Sequence, residues 1–470
     1  MFVQQFFVNG LAHSSYLLGG TNTCAIVDPR RDVDIYLDAA KAMEMKITHI
    51  LLTHLHADFV SGFMDLAEKT GAEIYAPKAG KCEFGHTALS EGSIFRIEDL
   101  AVNVLETPGH TPEHITYVIT DFTRSEDPAA IFCGDVLFVG DVGRPDLFPD
   151  IARQLASELY DSLHKIIKLP DYCEVYPAHG AGSLCGRAIG AKRTSTVGYE
   201  RRNNYALQLK DREMFIKSLI TDMPAAPDHF SRSSAINRKG PELVRKLPAP
   251  KPLEPQAFWQ AAQRSDTLVL DVRSYDAFSG QHVPGSYSIM LSAVLSTFAG
   301  WVLPPDKDIL LVASAKEQVQ ETLTALRRVG LDRATGQLSG GMFAWAKAGL
   351  PIGHVCLISA GELNEICAAG GDAVILDVRS ADEFSTGHIN RAVNIPAPDL
   401  RTRHAELDKN KPIAVICTTG IRAGMACSIL KMNGFKKICN VTGGMTGFNT
   451  AGYTEECSPC MAAPHLPAKG

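Results

Sequence analysis

No run of about 18 uninterrupted apolar residues occurs in the 470-residue chain, so no membrane-spanning helix is expected. Neither sign of charge dominates. With 46 basic against 52 acidic residues the net charge is −6, which leaves no electrostatic footprint for nucleic acid or an anionic membrane. A small-molecule substrate is therefore expected. The opening Met1 to Gly10 lacks a basic n-region and is interrupted by Gln4, Gln5 and Asn9, unlike a signal peptide. The twelve cysteines form no dense framework, which fits a reducing compartment, with the cytoplasm as default.

What is present is enough sequence for about three domains. A hydrophobic content of 45% and a charged content of 21% belong to a soluble globular protein. From residue 1 to about 180, short β-rich runs alternate with helical ones. Tyr16–Leu18 and Cys24–Asp28 read as a hairpin, Val33–Met45 as an amphipathic helix and Ser61–Thr70 as another. Between the helices the apolar segment Ile47–Leu52 runs into Thr53-His54-Leu55-His56-Ala57-Asp58-Phe59. Alternate residues leaving a strand point to opposite sides, so a tight turn is needed to aim both imidazoles at one ion. Taken alone, the loop also fits a solvated polar turn.

Three further apolar runs end in the same kind of residue. Leu100–Glu106 leads to Pro108-Gly109-His110, Ala129–Cys133 to Gly134-Asp135, and Cys173–Tyr176 to Pro177-Ala178-His179. Pro or Gly in these loops sets sharp turns. His or Asp at the ends of four strands argues for one shared site.

In order and strand-end placement, His54, His56, Asp58, His110, Asp135 and His179 resemble the signature of the metallo-β-lactamase superfamily. The resemblance covers roughly the first 245 residues and implies a four-layered αββα sandwich with metal at the sheet edges. Phe59 stands where hydrolytic members carry the last histidine of the signature, and a phenyl ring cannot ligate. At most Asp58, Asp135 and His179 remain for a second ion. Two imidazoles, one carboxylate and open positions suit a non-haem Fe(II) oxygenase.

Within the superfamily, Thr53–Gly62, Gly134–Phe138 and Gly143–Leu147 look most like the persulfide dioxygenases. That resemblance implies one Fe(II) per chain on His54, His110 and Asp135, with zinc as the alternative, and His56, Asp58 and His179 as nearby polar groups. It implies oxidation of glutathione persulfide or a similar thiol persulfide by O₂ to sulfite. Arg144 is a candidate cation for the persulfide, or an ion-pair partner of Asp146. Cys185, six residues after His179, is a candidate sulfur acceptor or a buried structural thiol. The basic stretch between residues 190 and 245 would close the mouth of the site or form a solvated helical face.

Pro248–Pro255 is proline-dense and reads as a semi-rigid linker. Beyond it the chain repeats: Leu268–Arg273 recurs as Val374–Arg379, and Gln281-His282-Val283 as Gly387-His388-Ile389. Each copy alternates apolar strands with helices, the pattern of a parallel α/β sheet. The D-V-R and E-F-x-x-G-H-I motifs and the strand followed by Cys417 resemble rhodanese, a sulfurtransferase fold. Pro412–Ile416 ends at Cys417-Thr418-Thr419-Gly420-Ile421-Arg422, before a helix over Ala423–Met432. Backbone N–H groups at a helix start favour an anionic sulfur, so Cys417 is the expected persulfide carrier. Arg422 is expected to hold the sulfo group of thiosulfate or sulfite. In the first copy Ala313 replaces the cysteine and Gln318 the arginine, so that copy is expected to be silent.

The expectation is a multidomain chain of α/β and α+β class. Residues 1–247 form the αββα dioxygenase domain, 248–355 and 356–456 two rhodanese-like α/β domains with parallel sheets, and 457–470 a mobile tail containing Cys457 and Cys460. A homo-oligomer, dimer or higher, is expected. The other readings are a glyoxalase II-like zinc thioester hydrolase with accessory rhodanese domains and a non-catalytic persulfide sensor or carrier.

Overall fold

The computed structural model describes residues 1–221, 223 and 226–453, so Cys457 and Cys460 lie outside the described residues. The chain divides into two compact units. The first comprises Met1–Leu247, Ser292–Pro305 and Leu323–Asp332, and the second Pro248–Leu291, Asp306–Thr322 and the chain from Arg333 onward.

The first unit is built on two six-stranded sheets. One runs, in spatial order, Phe2–Val8, His13–Gly19, Thr23–Val27, Lys46–Leu51, Glu73–Pro77 and Thr87–Leu89. The other runs Ser195–Thr196, Glu174–Pro177, Ala130–Gly134, Ile115–Asp121, Leu100–Glu106 and Ile94–Ile97. Tyr16, Leu18, Val27 and Leu51 of one sheet meet Val102, Val104, Tyr117 and Phe132 of the other in one buried cluster. Burying each such side chain stabilises the fold by roughly 1.5–3 kcal/mol.

Outside the first sheet lie helices Asp34–Ala42 and Phe63–Thr70, packed through Tyr36, Ala40, Phe63 and Leu66. Outside the second lie Ala152–Ile166 and Arg212–Ile220, packed through Leu159, Leu163, Phe215 and Leu219. This is the expected αββα arrangement, with both early helices shorter than their apolar patterns suggest, Asp34–Ala42 by about one turn and Phe63–Thr70 by less.

Two stretches that the repeat assigns to the first rhodanese-like copy belong to this unit. The helix Leu295–Val302 carries no charged residue and buries Leu295, Ser296, Ala299, Gly300 and Val302. A short helix without a polar face has to be covered. Arg328 pairs with Asp32 at 2.8 and 2.9 Å, and its carbonyl accepts the Val60 N–H at 2.6 Å.

The second unit holds two five-stranded parallel sheets. The first is ordered Lys251–Leu253, Ala334–Leu338, Asp308–Val312, Thr267–Asp271 and Tyr287–Ser288. The second is ordered Cys356–Ile358, Ile438–Val441, Ile413–Ile416, Val374–Asp377 and Val393–Asn394. The proline-dense stretch is therefore not wholly irregular, because Lys251–Leu253 pairs with Gly336–Leu338. It is an edge strand, where Pro252 is tolerated despite lacking an N–H. Among the described residues no helix is long and apolar enough to cross a membrane.

Candidate metal centre and active loop

Where the strand Lys46–Leu51 ends, its neighbour Thr23–Val27 supplies Asp28, whose carboxylate accepts the Thr53 N–H at 2.9 Å and hydroxyl at 2.8 Å. With its hydrogen committed there, the Thr53 hydroxyl accepts from His54 Nδ1 at 2.9 Å. That fixes the tautomer and leaves the Nε2 lone pair of His54 facing Asp135 Oδ2 at 3.8 Å. His110 is set the same way: Nδ1 donates to the Arg144 carbonyl at 2.9 Å, and Nε2 lies 3.3 Å from Asp135 Oδ2 with no hydrogen-bond partner. Asp135 is itself positioned, since its N–H donates to His114 Nε2 at 3.0 Å. Burial lowers the His114 pKa to about 3, so that ring is a neutral acceptor.

The ligand atoms of His54, His110 and Asp135 lie within 4.8 Å of one another, and all three residues are buried. Burial also holds both histidines below the usual imidazole range. Burial works to raise Asp135, but His179, His110 and His54 outweigh it and the group stays a carboxylate. Two imidazole lone pairs and a carboxylate oxygen thus converge with no proton between them. Such a donor set fits a divalent cation, with the Thr53 and Arg144 contacts as the supporting shell.

His56, Asp58 and His179 form an adjoining buried group. His179 Nδ1 lies 2.7 Å from Asp135 Oδ1 and Nε2 2.8 Å from Asp58 Oδ2. Burial disfavours its charge, yet the two carboxylates raise its pKa well above the usual value, so both nitrogens carry protons. Phe59 is fully buried, with its ring centroid 4.5 Å from that of His56 and 4.0 Å from that of His13.

His13 is absent from the residues the sequence singles out, although it is completely buried and neither nitrogen has a hydrogen-bond partner. The signal available was the polar run His13-Ser14-Ser15 in a strand whose seven residues are all buried.

The Cys185 thiol is within 4.8 Å of the ligand atoms of Asp135 and His179. Burial first, then the Asp58 and Asp135 carboxylates, push its pKa well up. It stands here as a thiol beside the cluster. Arg144 pairs with Asp146 through two bonds of 2.7 and 2.6 Å, the structural alternative of the two. Cations of the basic segment are engaged by the rest of the unit: Arg201 pairs with Asp171, and Arg193 lies over the Phe7 ring at 3.9 Å.

In the second unit, Cys417 closes the strand Ile413–Ile416 and is buried. Gly420, at φ 97°, turns the chain into the helix Ile421–Met432, and its N–H donates to Cys417 Sγ at 3.1 Å. Arg422 grips both oxygens of Glu383 at 2.6 Å and donates to the Thr418 hydroxyl at 2.6 Å. The guanidinium expected to meet a sulfo group is thus held by a carboxylate at the loop edge. The Arg422 contact is the main cause that depresses Glu383 to about 2. At the matching positions the first copy has Ala313, Gln318 and Ala277, so cysteine, arginine and glutamate are all missing.

By fold and ligand set the first unit is a metal-binding sandwich, and the second carries a sulfurtransferase-like loop. Residues 8–179 match the metallo-β-lactamase superfamily, and residues 254–348 and 359–451 each match the rhodanese-like domain. Hydroxyacylglutathione hydrolase of Pseudomonas entomophila is 34% identical over 156 residues, which are 33% of this chain and 56% of that protein. The chain thus spans little more than half the length of that relative. The Vibrio campbellii hydroxyacylglutathione hydrolase is 30% identical over 215 residues, 46% of this chain and 76% of that one. A crystal structure of a metallo-β-lactamase from Staphylococcus aureus is 34% identical with a TM-score of 0.65, covering 72% of this chain and 98% of its own. The chain belongs to the metallo-β-lactamase superfamily and carries two rhodanese-like domains after its metallo-β-lactamase domain.

Proposed function

We propose that the chain is an Fe(II)-dependent persulfide dioxygenase whose second rhodanese-like domain transfers sulfane sulfur at Cys417. The observation that carries this reading is Phe59. Its ring fills the place of a ligand, and His179 spends both nitrogens on Asp58 and Asp135. Of the buried candidate groups, the set His54, His110 and Asp135 is the one that does not draw on His179, and the Nδ1 contacts of its two histidines leave both Nε2 atoms free of hydrogen. When bound there, Fe(II) supplies the O₂ activation that oxidises the terminal sulfur of a persulfide RSSH, giving RSH and sulfite with one water consumed.

The protein's own residues hold that site in place. The Thr53 hydroxyl and the Arg144 carbonyl fix the two histidine tautomers. His179 donates to Asp135 and keeps that carboxylate turned toward His54 and His110. At the second site, Cys417 Sγ attacks the sulfane sulfur of a persulfide and the parent thiolate leaves with the bonding pair. Attack by sulfite on the Cys417 persulfide then gives thiosulfate and regenerates the cysteine. The Gly420 N–H stabilises the anionic sulfur.

A test is product analysis with a thiol persulfide and O₂. The intact chain should release thiosulfate, and Cys417→Ser should consume O₂ at the same rate but stop at sulfite. Thiosulfate formation unchanged in that variant would remove Cys417 from the reaction.

A thioester hydrolase is the second reading, favoured by relatives named hydroxyacylglutathione hydrolase at 34% and 30% identity. Hydrolysis of a glutathione thioester without O₂ uptake would establish it.

A further inference from the structure

A cleft of about 180 Å³ opens beside the ligand cluster within the first unit. Asp58, His229 and Phe230 line one side, and Thr297, Phe298 and Trp301 line the other. The latter three come from the helix Leu295–Val302, a part of the silent rhodanese-like copy by sequence repeat. Phe298 and Trp301 are one helical turn apart, so they share a face, and both are half-buried.

The helix is locked to the metal-site loop rather than merely near it. Thr297 Oγ1 donates to the Gly10 carbonyl at 3.0 Å, and Arg232 donates to the carbonyls of Gly300 and Val329 at 3.4 and 3.0 Å. A Cβ at Gly300 would lie 2.9 Å from the His229 ring, so the helix backbone rests on that ring. His229 Nε2 in turn lies 3.2 Å from the Asp58 carbonyl, one residue from Phe59.

We propose that this helix forms the substrate-binding wall of the metal site, with Phe298 and Trp301 selecting a small, uncharged, apolar thiol stem. The inference rests on the persulfide reading above and narrows its substrate class. The lining supplies the aromatic rings of Phe230, Phe298 and Trp301 and no lysine or arginine. A carrier with free carboxylates would bring them beside Asp58 without a cation to meet them. The cleft, at about 180 Å³, has room for an apolar stem of a few carbons. A degenerate copy that has lost its cysteine, arginine and glutamate is thereby put to another use.

The test uses the full chain, purified anaerobically, with 1-butanethiol and glutathione as probes. Calorimetry on metal-free protein should show butanethiol binding more tightly than glutathione. The variant Phe298→Ala/Trp301→Ala should weaken butanethiol at least tenfold, while Trp301→Phe, which keeps a ring, should recover most of the affinity. With the alkyl persulfide as substrate, the double alanine variant should raise KM and leave kcat within about twofold. Equal butanethiol affinity in intact and double-variant protein, or tighter binding of glutathione, would overturn the proposal. If thiol binding depends on Trp301 but no persulfide drives O₂ uptake, the cleft stands and the dioxygenase reading fails. If O₂ uptake proceeds and KM is unmoved in the variant, the dioxygenase stands and the cleft assignment fails.

Discussion

A phenyl ring, Phe59, stands among the histidines of the candidate metal site. Phe59 lies at ring-centroid distances of 4.0 Å from His13 and 4.5 Å from His56, and it offers no lone pair to an ion held beside His56, Asp58 and His179. Phe59→His should therefore raise bound metal from about one toward two ions per chain, measured by elemental analysis after zinc loading. Unchanged stoichiometry would mean that the His179 contacts, not the ring, exclude the second ion. His54, His110, Asp135, His179 and Cys417 were legible in the sequence because each closes an apolar run, all but His54 at a Pro or Gly turn. His13 and His114 were not, because the polar run at His13 marks an unusual strand but only the fold shows which ring nitrogens find partners. Glu383 stood inside a recognisable motif, but only the folded loop turns its carboxylate onto Arg422.

The repeated motifs prove to be devices of the elements rather than of catalysis. In both copies the arginine of D-V-R folds back on its aspartate and on a carbonyl: Arg273 on Asp271 and Gln281, Arg379 on Asp377 and Gly387. The motif histidines stack on a phenylalanine one turn earlier, His282 on Phe278 at 3.9 Å and His388 on Phe384 at 3.8 Å. Burial lowers His282 to about 4. The folded state therefore favours the neutral ring, and that stability is complete above the unfolded value near 6.5 and declines as pH falls toward 4. The whole effect is at most of the order of 3 kcal/mol. The melting temperature should drop across that window, and His282→Gln should flatten the drop. An equal slope in the variant would assign the acid sensitivity to other groups. The proline-dense stretch shows the limit of reading elements locally, since only the neighbouring strand Ala334–Leu338 makes Lys251–Leu253 a strand.

At the scale of the whole chain, the repeat marked two similar copies correctly but could not show that Ser292–Pro305 and Leu323–Asp332 join the first compact unit. Sequence similarity follows ancestry, whereas compactness follows which apolar faces meet, and the uncharged helix Leu295–Val302 had to be covered. On the proposed function, linking both sites on one chain would raise the effective concentration of sulfite at Cys417. An equimolar mixture of His110→Ala and Cys417→Ser chains should therefore release thiosulfate more slowly than intact protein with the same number of each working site, and show a longer sulfite lag. Equal time courses would mean that the intermediate diffuses freely. The most direct measurement of the central claim is metal content together with O₂ uptake on anaerobically purified protein. About one iron per chain, with one O₂ consumed per persulfide and none without it, is the predicted result. Two zinc ions per chain with thioester hydrolysis and no O₂ uptake would contradict it.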